Sequence, residues 1–214
     1  MDKGLFITIE GVEGSGKTTQ LRLLIDYLES MDLPVTETRE PGGTQIGEMI
    51  RGILLSPSNS GISAETELLL YLGCRADHVE RLIRPAIERG EMVISDRYAD
   101  ATIAYQGFGR GLDVDRIRKL NEVATDGLLP DITVLLDLDA KTGLARVAGR
   151  SEEGVTDRLE SEELEFHERV REGYRHVAAC EPARVKTVQA DGEIEVVQEN
   201  IRSIISEFLS KARL

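Results

Sequence analysis

Eight consecutive residues, Gly11, Val12, Glu13, Gly14, Ser15, Gly16, Lys17 and Thr18, have the types and spacing to hold a chain of phosphates. They spell G-x-x-x-x-G-K-T. Glycines at 11, 14 and 16 can reach backbone angles that turn successive N–H groups into one concavity. Lys17 adds a mobile positive charge for β- and γ-phosphates, and the Thr18 hydroxyl is a ligand for Mg²⁺. A second group stands at expected strand ends, where a ligand would lie. The string Arg39-Glu-Pro-Gly-Gly-Thr44 flanks a glycine turn with an Arg-Glu pair, and Asp96-Arg-Tyr98 offers an acid for Mg²⁺ or its water beside an arginine for phosphate. Thr102, Tyr105 and Gln106 follow closely enough to share that pocket, or to lie on an ordinary helix surface.

Strands and helices must position these groups. The apolar, β-branched run 5–9 predicts a buried parallel strand feeding the glycine loop. Leu21, Leu24, Ile25 and Leu28 recur at helical spacing behind it, so the loop opens a helix whose N-terminus favours phosphate. Further strands are expected at 35–38, 91–95, 132–136 and 185–189, each delivering polar residues at its C-terminal end. Between them lie helical patterns. In one, Ile46, Met49, Ile50, Ile53 and Leu54 form an apolar stripe, with Arg51 off it, facing either a pocket or solvent. In a longer one starting near Ser63, Arg75 falls inside the stripe between Leu68 and Leu82, with Tyr71 one turn before it. A cation there must be paired or face a polar pocket. Arg84-Pro85 marks a break or kink in that helix. Asp137 and Asp139 at a strand end are a second place for a magnesium-organising acid, unless Asp139 instead caps the helix that follows. Arg146, Arg150 and Arg158 bracket the polar stretch 151–157, a pattern suited to a lid over transferred phosphate. The three histidines, His78, His167 and His176, read as structural. Five parallel strands separated by helices give an α/β, doubly wound, three-layer fold.

Composition narrows the partners. A net charge of −13 over 214 residues argues against a nucleic-acid or anionic-membrane binder, so any phosphate site is a local basic pocket. Cys74 and Cys180 lack metal-type spacing and read as reduced thiols of a cytoplasmic protein. No apolar run approaches bilayer length. The guanine-reading Asn-Lys-x-Asp and the Asp-x-x-Gly of nucleotide switches are both missing from the sequence.

In Ile9-Glu-Gly-Val-Glu-Gly-Ser-Gly-Lys-Thr-Thr19, Arg39-Glu-Pro-Gly-Gly-Thr44, Asp96-Arg-Tyr98 and Tyr105-Gln-Gly107, taken in this order, the sequence resembles the bacterial-type thymidylate kinases across nearly the whole chain. The resemblance implies a P-loop NTPase fold, one domain over 1–214 with a short arginine-bearing lid at about 149–158, and phosphoryl transfer from MgATP to dTMP. It implies that Gly11 through Thr18 bind ATP phosphates, with Thr18 and Asp96 serving Mg²⁺. Glu13 would face the acceptor's 3′-hydroxyl, Arg97 would grip the dTMP phosphate, and Glu40 and Arg51 would complete that site. Tyr71 would stack on thymine, Arg75 would donate to its carbonyl, Thr102 and Gln106 would line the base pocket, and Tyr105 would crowd a ribose 2′-hydroxyl. The family often has Phe where Tyr71 stands, so its hydroxyl needs a partner. Members that carry an arginine inside the phosphate loop have it where this chain has Gly14, which leaves the charge to Arg150 or Arg146, with Arg158 close behind. A homodimer is implied as well. Another nucleoside monophosphate kinase is the alternative enzyme reading.

Overall fold

A computed structural model describes residues 4–149 and 157–212, without the Ala212 side chain. Five strands, β1 Phe6–Gly11, β2 Val35–Arg39, β3 Met92–Asp96, β4 Ile132–Asp137 and β5 Val185–Gln189, form one sheet in the order β2-β3-β1-β4-β5. All its pairings are parallel. β1 lies in the middle, which is why its six residues are all buried. The chain leaves β1 towards β2 on one side and leaves the neighbouring β4 towards β5 on the other, so the crossovers diverge between β1 and β4 and open a crevice at the strands' C-terminal ends. That edge carries Gly11 ending β1, Glu40 after β2, Arg97 after β3 and Asp137 ending β4. The expectations for the strands hold to within a residue or two.

The helices are α1 Lys17–Glu29, α2 Gln45–Leu55, α3 Ala64–His78, α4 Arg84–Glu88, α5 Ala99–Thr102, α6 Val114–Thr125, α7 Ala140–Ala148, α8 Leu164–Cys180 and α9 Ile194–Ala212. Side chains cap several of them: Thr44 accepts from Gly47 N, Ser63 from Thr66 N, Asp113 from Arg116 N and Asp139 from Thr142 N. The core joins Ile7, Ile9, Ile94, Val134 and Leu136 of the sheet to Leu24 and Leu28 of α1 and to Ile201 and Ile205 of α9. No helix among the described residues is long and apolar enough to cross a membrane.

Three local features were left open by the sequence. Arg84-Pro85 does not break the helical rod. α3 runs through a π-helical turn, Val79–Ile83, into α4, and the wider turn accommodates the hydrogen bond that Pro85 cannot donate. A second π-helical stretch, Ile103–Gly109, continues α5 and buries Tyr105 and Gln106. The apolar stripe of α2 does not enter the core. Ile46, Met49 and Ile53 are 48%, 69% and 45% exposed, and Leu54 is the stripe residue that is buried. Helix α2 approaches the sheet edge through Gly47, where a Cβ would stand 2.6 Å from the Gly42 carbonyl oxygen. Its other face is left outside.

Candidate active site

One cavity of about 480 Å³ opens at the C-terminal edge of the sheet, lined by the glycine loop at one end and by α3 and the α5 segment at the other. Gly14 and Gly16 have φ of 68° and 89°, left-handed values that favour glycine. Gly14 also lacks room for any side chain. A Cβ there would lie 2.1 Å from the carbonyl oxygen of Gly143 in α7. An arginine at this loop position is therefore sterically excluded. Gly16 stands directly before α1, so the loop's N–H groups and the helix N-terminus converge. Lys17 folds back on the loop, its Nζ donating to the carbonyls of Gly11 (3.2 Å) and Val12 (2.9 Å). Burial and the nearby Arg97 lower its pKa, opposed by Glu13 and Asp96. The buried oxygens without a partner among the described residues include Ser15 Oγ and Asp96 Oδ1. Asp96 and Thr18 both line the cavity.

Arg97 stands at the centre. Its backbone is left-handed, φ 72°, which turns the side chain from the end of β3 back across the loop. Nη2 donates to Glu13 Oε1 at 2.6 Å, while Nη1 donates to Gly11 O at 2.9 Å and to Tyr174 Oη at 2.8 Å. The guanidinium carbon lies 4.9 Å from the centre of the Tyr105 ring, and the Tyr105 hydroxyl donates to the same Glu13 oxygen at 2.8 Å. Burial raises the Glu13 pKa, but Arg97, Lys17 and the Tyr105 hydroxyl outweigh it and bring it down to about 2. Behind them sits Glu10, buried in β1. It accepts from the Tyr98 backbone N–H (2.7 Å) and the Tyr174 hydroxyl (2.8 Å). Burial and the neighbouring Asp100 raise its pKa to about 8 against the pull of Arg97.

Arg75 is 1% exposed, and its N–H groups are all engaged. Nε donates to Glu40 Oε2 (2.8 Å), Nη1 to Thr102 Oγ1 (2.9 Å) and Asn121 Oδ1 (2.7 Å), and Nη2 to Tyr98 O (3.0 Å), with Glu40 Oε2 2.7 Å from Nη2 as well. A ligand carbonyl can reach it by taking the place of one of these acceptors. Glu40 stands on the N-terminal side of a cis peptide bond to Pro41, and His78 Nδ1 lies 3.0 Å from its other oxygen. Burial raises the Glu40 pKa, and Arg75 and His78 outweigh it. Arg51 lines the cavity and donates to Pro41 O at 2.8 Å. Tyr71 lines the end of the cavity formed by α3, and its hydroxyl has no hydrogen-bond partner among the described residues. Gln106 donates its amide to the buried Glu67.

The three arginines around the expected lid divide. Arg146 reaches Gly14 O (3.4 Å) and Ala190 O (3.0 Å), spanning the phosphate loop and the β5–α9 connection. Arg158 turns away from the phosphate loop. Its Nε donates to Leu54 O, and Nη2 lies 2.6 Å from Glu67 Oε2. Arg150 lies outside the described residues. Asp137, the alternative magnesium acid, is held by Arg171 and Arg175 at 2.7 and 2.8 Å.

The thymidylate kinase family model matches residues 9–201. The chain belongs to the thymidylate kinase family. It is 48% identical to a thymidylate kinase of Symbiobacterium thermophilum, covering 97% of this chain and 95% of that one. It is 47% identical to that of Solidesulfovibrio magneticus, covering 96% and 100%. Among solved structures, the thymidylate kinase from Ehrlichia chaffeensis superposes with a TM-score of 0.78 at 34% identity, over 96% of this chain and 99% of that chain.

Around this thymidylate kinase cavity stand groups that no sequence motif singled out: Glu10, Asn121, Tyr174 and Glu67. For Glu10 a signal existed, an acid closing an apolar strand beside the glycine loop. Its titration is measurable. An acid whose pKa is raised on folding keeps its proton longer in the folded state, so stability is undiminished below about pH 4.5 and falls as pH rises towards 8. The wild type should therefore lose stability relative to Glu10→Gln across that window, by up to about 5 kcal/mol. Chemical denaturation of both proteins at pH 4.5 and 8.5 measures the difference, and parallel curves would refute the raised pKa.

Proposed function

We propose that this chain transfers the γ-phosphoryl group of ATP to dTMP, giving dTDP and ADP, in the cytoplasm as part of deoxynucleotide biosynthesis. The single observation that carries the reading is one continuous cavity. It joins the phosphate loop at Lys17 and Thr18 to a second phosphate-binding cation, Arg97, and then to an aromatic and amide-lined end at Tyr71 and Gln106. Donor and acceptor sites meeting at one point suit direct transfer between two phosphates, with no covalent enzyme intermediate.

The loop from Gly11 to Thr18 cradles the ATP phosphates, and Lys17 leaves the Gly11 and Val12 carbonyls to stabilise charge on the transferring group. Arg97 exchanges Glu13 for the acceptor phosphate and holds it in line, while Glu13 turns to the sugar 3′-hydroxyl. The attacking phosphate oxygen is already nucleophilic, so no strong base is needed. Glu40 and Arg51 complete the acceptor end, Tyr71 stacks on thymine, and Arg75 and Thr102 meet its carbonyl. Tyr105, fixed on Glu13, crowds a ribose 2′-hydroxyl. Arg146 brings a cation to the donor side, and Arg150 is the lid arginine proposed to reach the γ-phosphate.

The free, buried Oδ1 of Asp96 beside Thr18 fits a magnesium site. Thr18 would hold the ion, and Asp96 would hold it or its water. When bound, Mg²⁺ neutralises charge on the β- and γ-phosphates. We also assign the exposed apolar face of α2 with Leu69 of α3 to a homodimer contact.

A coupled ADP-release assay with MgATP should show strong turnover of dTMP and little of its ribose analogue, AMP, GMP or CMP. Turnover of another monophosphate in place of dTMP would reject the thymine assignment. In the same assay, Asp96→Asn should raise the Mg²⁺ needed for half-activity by roughly 10–100-fold. An unchanged Mg²⁺ requirement would remove Asp96 from that role. Sedimentation equilibrium should find a dimer for the wild type and a monomer for Met49→Glu. A monomeric wild type would reject the interface.

A further inference from the structure

Gln106 lines the base end of the cavity, yet it is 1% exposed and its side chain makes one hydrogen bond among the described residues, from Nε2 to Glu67 Oε1 at 2.8 Å. Glu67 is buried on α3. Its oxygens also accept from Arg110 Nε and Nη2, at 3.2 and 3.1 Å, and Oε2 lies 2.6 Å from Arg158 Nη2. Arg158 is anchored in turn, with Nε on Leu54 O and its backbone N–H on Leu55 O. Burial raises the Glu67 pKa, and Arg110, Gln106 and Arg158 outweigh it, so the carboxylate is ionised.

An ionised carboxylate only accepts hydrogen bonds. A glutamine amide has a donor end and an acceptor end, exchangeable by a half-turn about its last bond. Against Glu67 that half-turn would bring two acceptor oxygens together in a buried place, where they repel and the Gln106 oxygen is left unsatisfied. The nitrogen end must therefore face Glu67, and the end left for a ligand is the carbonyl oxygen. A fixed acceptor suits a ring N–H and rejects a ring nitrogen bearing a lone pair. Thymine has N–H at position 3, where cytosine has the lone pair.

We propose that Glu67 is a positioning residue that sets the hydrogen-bonding sense of the base pocket, by locking the Gln106 amide with its oxygen towards the ring N–H of the acceptor pyrimidine. This rests on the reading of the cavity as a thymidylate site. Glu67 touches no substrate. It acts through Gln106, and its own orientation is held by Arg110 and by Arg158.

The test is the ratio of kcat/KM for dTMP to that for dCMP. Glu67→Gln keeps the shape but can donate as well as accept, which frees the Gln106 amide to turn. The ratio should fall about tenfold or more, with the dTMP loss in KM rather than kcat. In a Gln106→Met background, adding Glu67→Gln should leave the ratio unchanged. A folded Glu67→Gln with the wild-type ratio, or with equal losses on both substrates, overturns the proposal, as does a further fall in the Gln106→Met background. If Glu67→Gln does not fold, side-chain amide NMR of the wild type decides. The Gln106 amide proton facing Glu67 should exchange slowly with and without dTMP, and fast exchange in the dTMP complex overturns the proposal. A wild type with no dTMP turnover would instead reject the thymidylate site itself, a result separable from these.

Discussion

The site is organised around the 2.6 Å ion pair between Arg97 and Glu13. It joins the end of β3 to the phosphate loop after β1, under the Tyr105 ring and beside Tyr174. Charges this nearly withdrawn from water, 13% and 20% exposed, gain from being paired. The protein therefore solves a problem set by its own net charge of −13. It assembles cations in an acidic molecule by resting each on a local acceptor. Arg97 rests on Glu13, Lys17 on two loop carbonyls, and Arg75 on Glu40, Thr102, Asn121 and Tyr98. In the proposed mechanism, ligand phosphates and a base carbonyl replace acceptors already in place, so little side-chain ordering remains to be done on binding.

The sheet makes that arrangement possible. Parallel strands present their C-terminal ends along one edge, and the β2-β3-β1-β4-β5 order brings Glu40, Arg97 and the glycine loop side by side although they are far apart in sequence. The close approach of Gly14 to Gly143 fixes the loop against α7 and leaves no room for an arginine there. With Arg146 spanning Gly14 and Ala190, the donor side is braced by backbone carbonyls.

Much of this was legible in the sequence because it is local. The glycine loop needs its glycines at fixed spacing, and strand and helix periods show within a few residues. Even Arg75 was visible as a cation inside an apolar stripe. What was not legible depends on partners distant in the chain. Glu10 meets Tyr174 across 164 positions, and Arg75 meets Asn121 across 46. No periodicity encodes such pairings. Arg158 looked like a lid cation because it stands beside the polar stretch, but the buried Glu67 claims it. The stripe on α2 was legible as apolar, but hydrophobic spacing does not say whether a helix buries its face within its own chain or outside it.

The central claim is that Arg97 gives up Glu13 to hold the acceptor's phosphate. Calorimetric titration of dTMP and thymidine, which share base and sugar and differ by the phosphate, tests it most directly. The wild type should bind dTMP more tightly than thymidine by roughly 1.5–3 kcal/mol or more. Arg97→Met should bring the two affinities together, chiefly by weakening dTMP. Retention of the wild-type preference for dTMP in Arg97→Met would contradict the account.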